Sequence, residues 1–242
     1  MNTRRKFLIQ SSMATTAVLA LKPFSTIARV ASPFTGVGGS YGKLVFLHTA
    51  NVKPTDNYKI IKYINEIKNK NVNTITLNAG QDKMDETDKL AFDVSAINGE
   101  YTIIKKGNHR TGIIWAMPDE NNVIQKINTL STYLKKEKNC TVVVCLSRLG
   151  YKNKNTPDDI TLAKKSTHLD IIIGGHADNF HAFPVITLNS NNGEVIIHSA
   201  SGDPSGFGKI EFDFDSYGQK KNVSLNNHSS KNSTPKLETK VA

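Results

Sequence analysis

Cysteine and tryptophan are scarce in this 242-residue chain, which has two of the first and one of the second. Two cysteines make no disulfide framework. Cys140 and Cys145 also fall five positions apart on one predicted strand. That puts them about 16 Å apart and on opposite faces, too far to bridge each other. Long apolar runs are lacking too. The run Ser12–Leu21 falls short of the roughly 20 residues that span a bilayer. No internal repeat is visible. Charge looks one-sided, at +10 overall, but residues 1–31 hold +5 and residues 219–242 hold +4, which leaves +1 for residues 32–218. A nucleic-acid binder carries its positive charge on the folded surface. Here it is kept at the ends, so no nucleic-acid partner is expected.

The first segment reads as an address. Thr3-Arg4-Arg5-Lys6-Phe7-Leu8 precedes the short apolar run, and Thr26-Ile27-Ala28 offers small residues for cleavage. A basic start, a short apolar stretch and small residues make a signal peptide, and the arginine pair points to twin-arginine export. A retained anchor or a chance arginine pair is the bland alternative. The whole pattern favours cleavage, hence a periplasmic or exported protein with no stable membrane anchor afterwards. Residues 32–218 then form one domain with enough chain for a core. Residues 219–242, mostly Lys, Asn and Ser, read as a disordered basic tail.

The domain is organised around Cys140–Phe180. Thr141–Leu146 and Leu169–Ile173 are β-branched apolar runs ending in small polar residues, as buried parallel strands do. Asp158–Lys165 between them has helical composition, making a strand-helix-strand unit. Sites collect beyond the carboxyl ends of such strands. Ser147-Arg148 and Gly174-Gly175-His176 fall there. Upstream, Lys43–Thr49 reads as the first strand, Tyr58–Lys70 as an amphipathic helix and Val72–Leu77 as a second strand. Tyr101–Lys105 and Thr111–Ala116 flank Lys-Gly-Asn as a hairpin, and Asp119–Lys138 is helical. Pro184–Leu188 and Glu194–Ala200 read as antiparallel strands, and Gly206–Asp215 as the last strand. The fold class is α/β, a mixed sheet with helices on its faces.

Leu146-Ser147-Arg148-Leu149-Gly150 and Gly174-Gly175-His176-Ala177-Asp178 resemble the strand ends of the calcineurin-like metallophosphoesterases, in their 5'-nucleotidase branch. Those read Leu-Ser-His-Leu-Gly and Gly-Gly-His-x-His. The resemblance covers most of residues 43–217. It implies a shortened two-sheet sandwich without the C-terminal substrate-binding domain of full nucleotidases, and a deletion between Gln81 and Tyr101.

The ligands the family would place here are altered. Leu47-His48-Thr49-Ala50-Asn51-Val52-Lys53 matches Leu-His-Thr-Asn-Asp-x-His, with Asn51 for the ligand aspartate and Lys53 for the ligand histidine. Asn78-Ala79-Gly80-Gln81 matches Asp-Ala-Gly-Asp, with Gln81 for the bridging carboxylate. Arg148 replaces a histidine, and Asp178 the last one. Gly107-Asn108-His109 looks like Gly-Asn-His-Glu, whose asparagine binds metal and whose histidine protonates the leaving group. The same residues are also a hairpin turn. Too few residues separate His109 from Arg148 for a full-size family domain, and the hairpin chemistry favours the turn. His48 reads as structural, and His168, His181 and His198 as ordinary surface or core residues.

Of the six matched positions, Lys53 and Arg148 are fixed cations, Asn51 and Gln81 are neutral amides, and His176 and Asp178 can bind metal. Two-metal hydrolysis needs carboxylates and neutral imidazoles to offset four positive charges. Each added cation opposes metal binding by several kcal/mol at about 4 Å in a partly buried cleft. The first expectation is therefore a pseudoenzyme with no cofactor, in which Lys53 and Arg148 hold phosphate or a nucleotide-like anion. The same substitutions can equally be solvated residues of a disused site. The second is a residual phosphoester hydrolase with one Mn, Zn or Mg ion at His176, Asp178 and Asn51 or Asn108. The third is a partner-binding domain whose cleft is irrelevant.

Overall fold

β-Branched residues crowd a helix and fit a pleated surface, and the Val- and Ile-rich runs of this chain form strands covered on both faces. The computed structural model describes residues 42–50, 58–80, 92–94, 99–153, 156–175, 183–200, 206–229 and 239–241. In chain order these hold β1 (Lys43–Thr49), α1 (Tyr58–Lys70), β2 (Thr74–Asn78), β3 (Tyr101–Lys106) and β4 (His109–Ala116). Next come α2 (Val123–Lys136), β5 (Val142–Ser147), α3 (Asp159–Lys165), β6 (Ile171–Gly174) and β7 (Val185–Leu188). β8 (Glu194–Ser199), β9 (Gly206–Phe214), β10 (Lys220–Ser229) and β11 (Thr239–Val241) complete the set.

The strands make two sheets, of order β11-β10-β9-β1-β2 and β3-β4-β5-β6-β8-β7. In the second, β4, β5, β6 and β8 are parallel, with β3 and β7 antiparallel at the edges. In the first, β1 and β2 are parallel and the rest antiparallel. Side-chain parity divides each strand between two cores. Leu44 and Phe46 of β1, Ile210, Phe212 and Phe214 of β9, and Val144, Leu146, Ile171, Ile173 and Ile196 of the second sheet pack together between the sheets. The alternate residues Val143, Cys145, Ile172, Val195 and Ile197 pack under α2 and α3. Val45 and Leu47 pack under Ile64 of α1. The layers run helix, sheet, sheet, helices, which is α/β as expected.

Three boundaries differ from the sequence reading. Val72, placed in a strand by its β-branched side chain, is 82% exposed. The Asn71 side chain accepts from Asn73 N–H at 3.0 Å and the Asn71 carbonyl from Thr74 Oγ1 at 2.7 Å, and this local turn delays β2. Helix α2 starts at Val123 because Asn122 adopts a left-handed φ of 57°. The largest correction is the tail. Lys220–Ser229, expected outside the fold, is strand β10 and pairs with β9 along its length. Its few apolar residues fall on alternate positions, so Leu225 and Val223 both reach the inter-sheet core. On its other face His228 stacks on Phe207 at 4.8 Å between ring centroids. Composition misses this, since two apolar residues in register suffice when β9 supplies the hydrogen bonds. In the stretch after Gln81, Val94 bridges Leu77 in parallel, and the Asp93 carboxylate accepts from Thr76 N–H and Oγ1 at 2.8 Å.

Asp170, just before β6, ties the layers together. Its carboxylate accepts from Val143 N–H at 2.7 Å and pairs with Lys135 of α2 at 2.7 Å and with Lys220 of β10. Burial raises this carboxyl, but Lys220 and Lys135 outweigh burial and hold it below the usual carboxylate value.

Candidate functional site

Strand direction and sheet packing bring four carboxyl ends together. β1 ends at Thr49 and β2 at Asn78, and the Thr49 carbonyl accepts from Ala79 N–H at 2.9 Å. In the second sheet β5 ends at Ser147 and β6 at Gly174, and the Ser147 carbonyl accepts from Gly175 N–H at 2.8 Å. The two pairs then meet. A Cβ built on Gly175 would lie 2.2 Å from the Ala79 carbonyl oxygen. Only glycine allows two backbones to approach so closely. Gly175→Ala should accordingly destabilise the protein by about 1–3 kcal/mol, since the obstacle is backbone and cannot rotate away. Thermal unfolding at neutral pH checks this, and an unchanged melting temperature would mean that the strand ends are not in contact.

These ends lead directly into the residues singled out from sequence. Asn51 and Lys53 follow Thr49-Ala50, Gln81 follows Gly80, and His176 and Asp178 follow Gly175. All five lie outside the described residues. Arg148 is described: it follows β5, is half-buried, and donates its backbone N–H to the Ala116 carbonyl at 2.9 Å, at the end of β4. Asn108 and His109 are elsewhere. They belong to the β3–β4 turn, where Gly107 has φ +56° and Lys106 pairs with His109. His109 is buried against Phe214 at 4.5 Å between centroids. Since β4 and β5 are parallel with Ala116 opposite Ser147, His109 lies about 23 Å upstream of the strand ends at 3.3 Å per residue. The structure brings Arg148 to the convergence and leaves His109 at the other end of the sheet.

Two buried groups near the convergence go beyond the sequence reading, which leaves Asp159 unremarked and takes His48 as structural and His198 as ordinary without joining them. Asp159, first residue of α3, is 1% exposed, and Ser147 Oγ donates to its Oδ1. Burial pushes this carboxyl up to about 7, against the hydrogen bond from Ser147 and with the help of neighbouring Asp158. The Cys145 thiol beneath is raised well above its usual value, first by burial and then by Asp159, and is no nucleophile. The second group is His48 with His198, in contact between the sheets. Residue parity was the available signal: His48 alternates with Leu44 and Phe46, and His198 with Ile196.

Solved structures share this architecture. A 5'-nucleotidase precursor from Thermus thermophilus superposes with a TM-score of 0.58 at 15% identity, over 77% of this chain and 54% of that one. The Haemophilus influenzae NAD nucleotidase superposes with a TM-score of 0.60 at 12% identity, over 77% of this chain and 50% of that one. The chain has the calcineurin-like metallophosphoesterase fold. The Thermus thermophilus sulfate thiohydrolase SoxB shares it at a TM-score of 0.51 and 12% identity, over 70% of this chain and 42% of that one. The chain thus spans about half the length of these structures. No family model and no curated protein matches the sequence.

A metallophosphoesterase fold implies a dinuclear metal centre at these strand ends, and the residues at the matched positions do not fit one. Among the described residues no three His, Cys, Asp or Glu side chains are grouped to hold a metal ion. The matched positions beyond them add the ammonium Lys53, the amides Asn51 and Gln81, which are weak ligands, and His176 and Asp178 as stronger metal donors. Neutral amides and fixed cations cannot neutralise two dications.

Proposed function

We propose that the chain is an exported protein of metallophosphoesterase fold that binds a phosphate-like anion in its cleft and is impaired in, or without, hydrolysis. The observation that carries this reading is the place of Arg148, at the end of β5 where the strand ends of both sheets converge. A planar guanidinium suits two oxygens of a phosphate, and Lys53, which follows β1 in the chain, adds a second positive charge as a compact ammonium. Loss of the metals and gain of fixed cations are two sides of one substitution pattern, since either can neutralise a phosphate. Export is supported by the paired arginines and short apolar run at the start of the chain, and one structural neighbour is a 5'-nucleotidase precursor. Among the described residues no helix is long and apolar enough to cross a membrane.

Thermal unfolding in inorganic phosphate tests the reading. Ligand at ten times its dissociation constant stabilises by about 1.4 kcal/mol, or roughly 3–5 °C for a domain of this size. Such a rise, lost in Arg148→Ala, is expected at millimolar phosphate; no rise in the wild type rejects anion binding. The residual hydrolase is tested in the same samples with Mn²⁺ or Zn²⁺. Metal-dependent phosphate release from a nucleotide, abolished by His176→Ala, would replace the non-catalytic reading.

A further inference from the structure

Two histidines 150 positions apart in the chain touch in the core. His48 projects inward from β1 and His198 inward from β8, so together they join the two sheets. His48 Nε2 lies 2.5 Å from His198 Nδ1, with the rings edge-to-face at 81°. His48 is 0% exposed and His198 1%. Gly208 of β9 lies against both rings: a Cβ there would stand 2.2 Å from His48 Nε2 and 2.7 Å from His198 Cε1. Among the described residues the outer nitrogens, His48 Nδ1 and His198 Nε2, take part in no hydrogen bond.

Counting protons shows what such a pair tolerates. A neutral imidazole carries one N–H and one acceptor nitrogen. Whichever ring donates across the contact, the accepting ring keeps its proton on its outer nitrogen, where no acceptor among the described residues meets it. The neutral pair therefore already holds one buried donor unsatisfied. One more proton makes both outer nitrogens donors and adds a positive charge. The residues beside the pair in each sheet are Leu77 of β2, Gly208 of β9 and Ile173 of β6. None of them offers a carboxylate. Burial and then His198 depress the basicity of His48, while burial alone depresses that of His198, to about 4. An uncompensated buried charge is costly, and opening the contact to water relieves it.

We propose that the His48–His198 pair is an acid-sensitive latch between the two sheets, closed while both rings are neutral and opened when either gains a proton. The latch lies next to the cleft. Thr49, which follows His48, holds Ala79 through its carbonyl, and Ala79 is the residue that Gly175 meets. Opening at His48 therefore loosens the convergence of strand ends. This inference rests on the packing of the sheets and is independent of whether the cleft binds an anion.

The sign follows from the depressed basicity. Closure is fully stabilising above the unfolded value of 6.5 and is lost as pH falls through about 4. Asp159, on the opposite face of the second sheet, titrates with the opposite sign, so global stability mixes the two and a local measurement is needed. Amide hydrogen exchange of the whole chain, corrected for intrinsic rate, is compared at pH 7.5 and pH 5. With a single ring titrating between 6.5 and 4, opening should increase about 30-fold. The increase is expected in peptides covering β1 and β8, with β4 and β5 unchanged, and it should vanish when both rings are replaced, in the double variant His48→Gln with His198→Gln. Unchanged protection in β1 and β8, or an equal loss in all strands, overturns the latch. So does a local loss that persists in that double variant. Should that variant fail to fold, histidine proton resonances of the wild type decide. Two rings that stay neutral down to pH 5 in the protected state support the latch, and a midpoint near 6.5 with full protection overturns it.

Discussion

Asp170→Ala should lower the melting temperature by roughly 10 °C. The carboxylate lies between Lys135 and Lys220, and neither ammonium is freely solvated, with side chains 23% and 35% exposed. Removing one partner of a buried pair leaves an uncompensated charge and costs about 3–5 kcal/mol, and a domain of this size loses roughly 2–4 °C per kcal/mol. Val143 N–H loses its carboxylate acceptor in the same step. Asp170→Asn keeps an acceptor for Val143 but not the charge, and should fall between wild type and alanine. Adding Lys135→Met to Asp170→Ala should recover part of the loss, because it removes the ammonium left unpaired. The folded carboxyl lies below its unfolded value of 3.8, so this contribution is present above pH 3.8 and is lost as pH falls further. A loss under about 1 kcal/mol for Asp170→Ala at pH 7 would show that both lysines reach water when the carboxylate goes.

Local patterns carried most of the fold. The Lys106-Gly107-Asn108 turn between two β-branched runs fixes the β3–β4 hairpin, and Val123, Ile127, Leu130 and Leu134 at helical spacing fix the buried stripe of α2. The fully apolar β5 and β6 read as doubly covered strands and are covered on both faces. Where reading failed, a non-local partner decided. β10 has too few apolar residues to count as a strand alone, and it forms because β9 offers an edge in register. Val72 has strand propensity but is exposed, because Asn71 builds a turn around it.

At the site, the frame was readable and its supports were not. Gly175 is a glycine in the sequence, but only the approach of Ala79 explains why. Arg148 falls at the strand ends as its spacing from β5 requires. His198 is 150 residues from His48, and no local pattern joins them. Asp158 and Asp159 look like one acidic start to a helix. The fold separates them. Asp158 caps α3, accepting from Thr161 N–H at 2.6 Å and Asn153 N–H at 2.9 Å, and those bonds outweigh burial to hold it low. Asp159 turns inward to Ser147.

That inward turn sets the second large effect: at pH 8 Asp159→Asn should be more stable than wild type by up to about 4 kcal/mol. The Asp159 carboxyl is pushed up to about 7 from 3.8, a gap of roughly three pH units at about 1.36 kcal/mol each. Because the folded value is raised, the stabilising contribution of the protonated carboxyl is fully present below pH 3.8 and is lost as pH rises through about 7. Ionisation is hard to relieve by movement. A Cβ on Gly174 would come within 3.2 Å of Asp159 Oδ2 and 2.7 Å of Ser199 Oγ, so the carboxylate is confined between strand ends. Asparagine keeps the acceptor for Ser147 Oγ and never ionises, so the two proteins should be about equally stable near pH 4 and diverge as pH rises. The His48–His198 pair works against Asp159 in the same window, since its contribution is lost as pH falls from 6.5 through about 4. Wild-type stability is then the difference of two slopes and changes little. Removing either group exposes the other: in Asp159→Asn stability should climb from pH 4 to 7, and in the double variant His48→Gln with His198→Gln it should fall. Urea denaturation of the three proteins across that range separates the slopes. A constant gap between wild type and Asp159→Asn from pH 5 to 8 would mean that Asp159 ionises in contact with water, and Ser147 would then have no buried carboxyl to hold it.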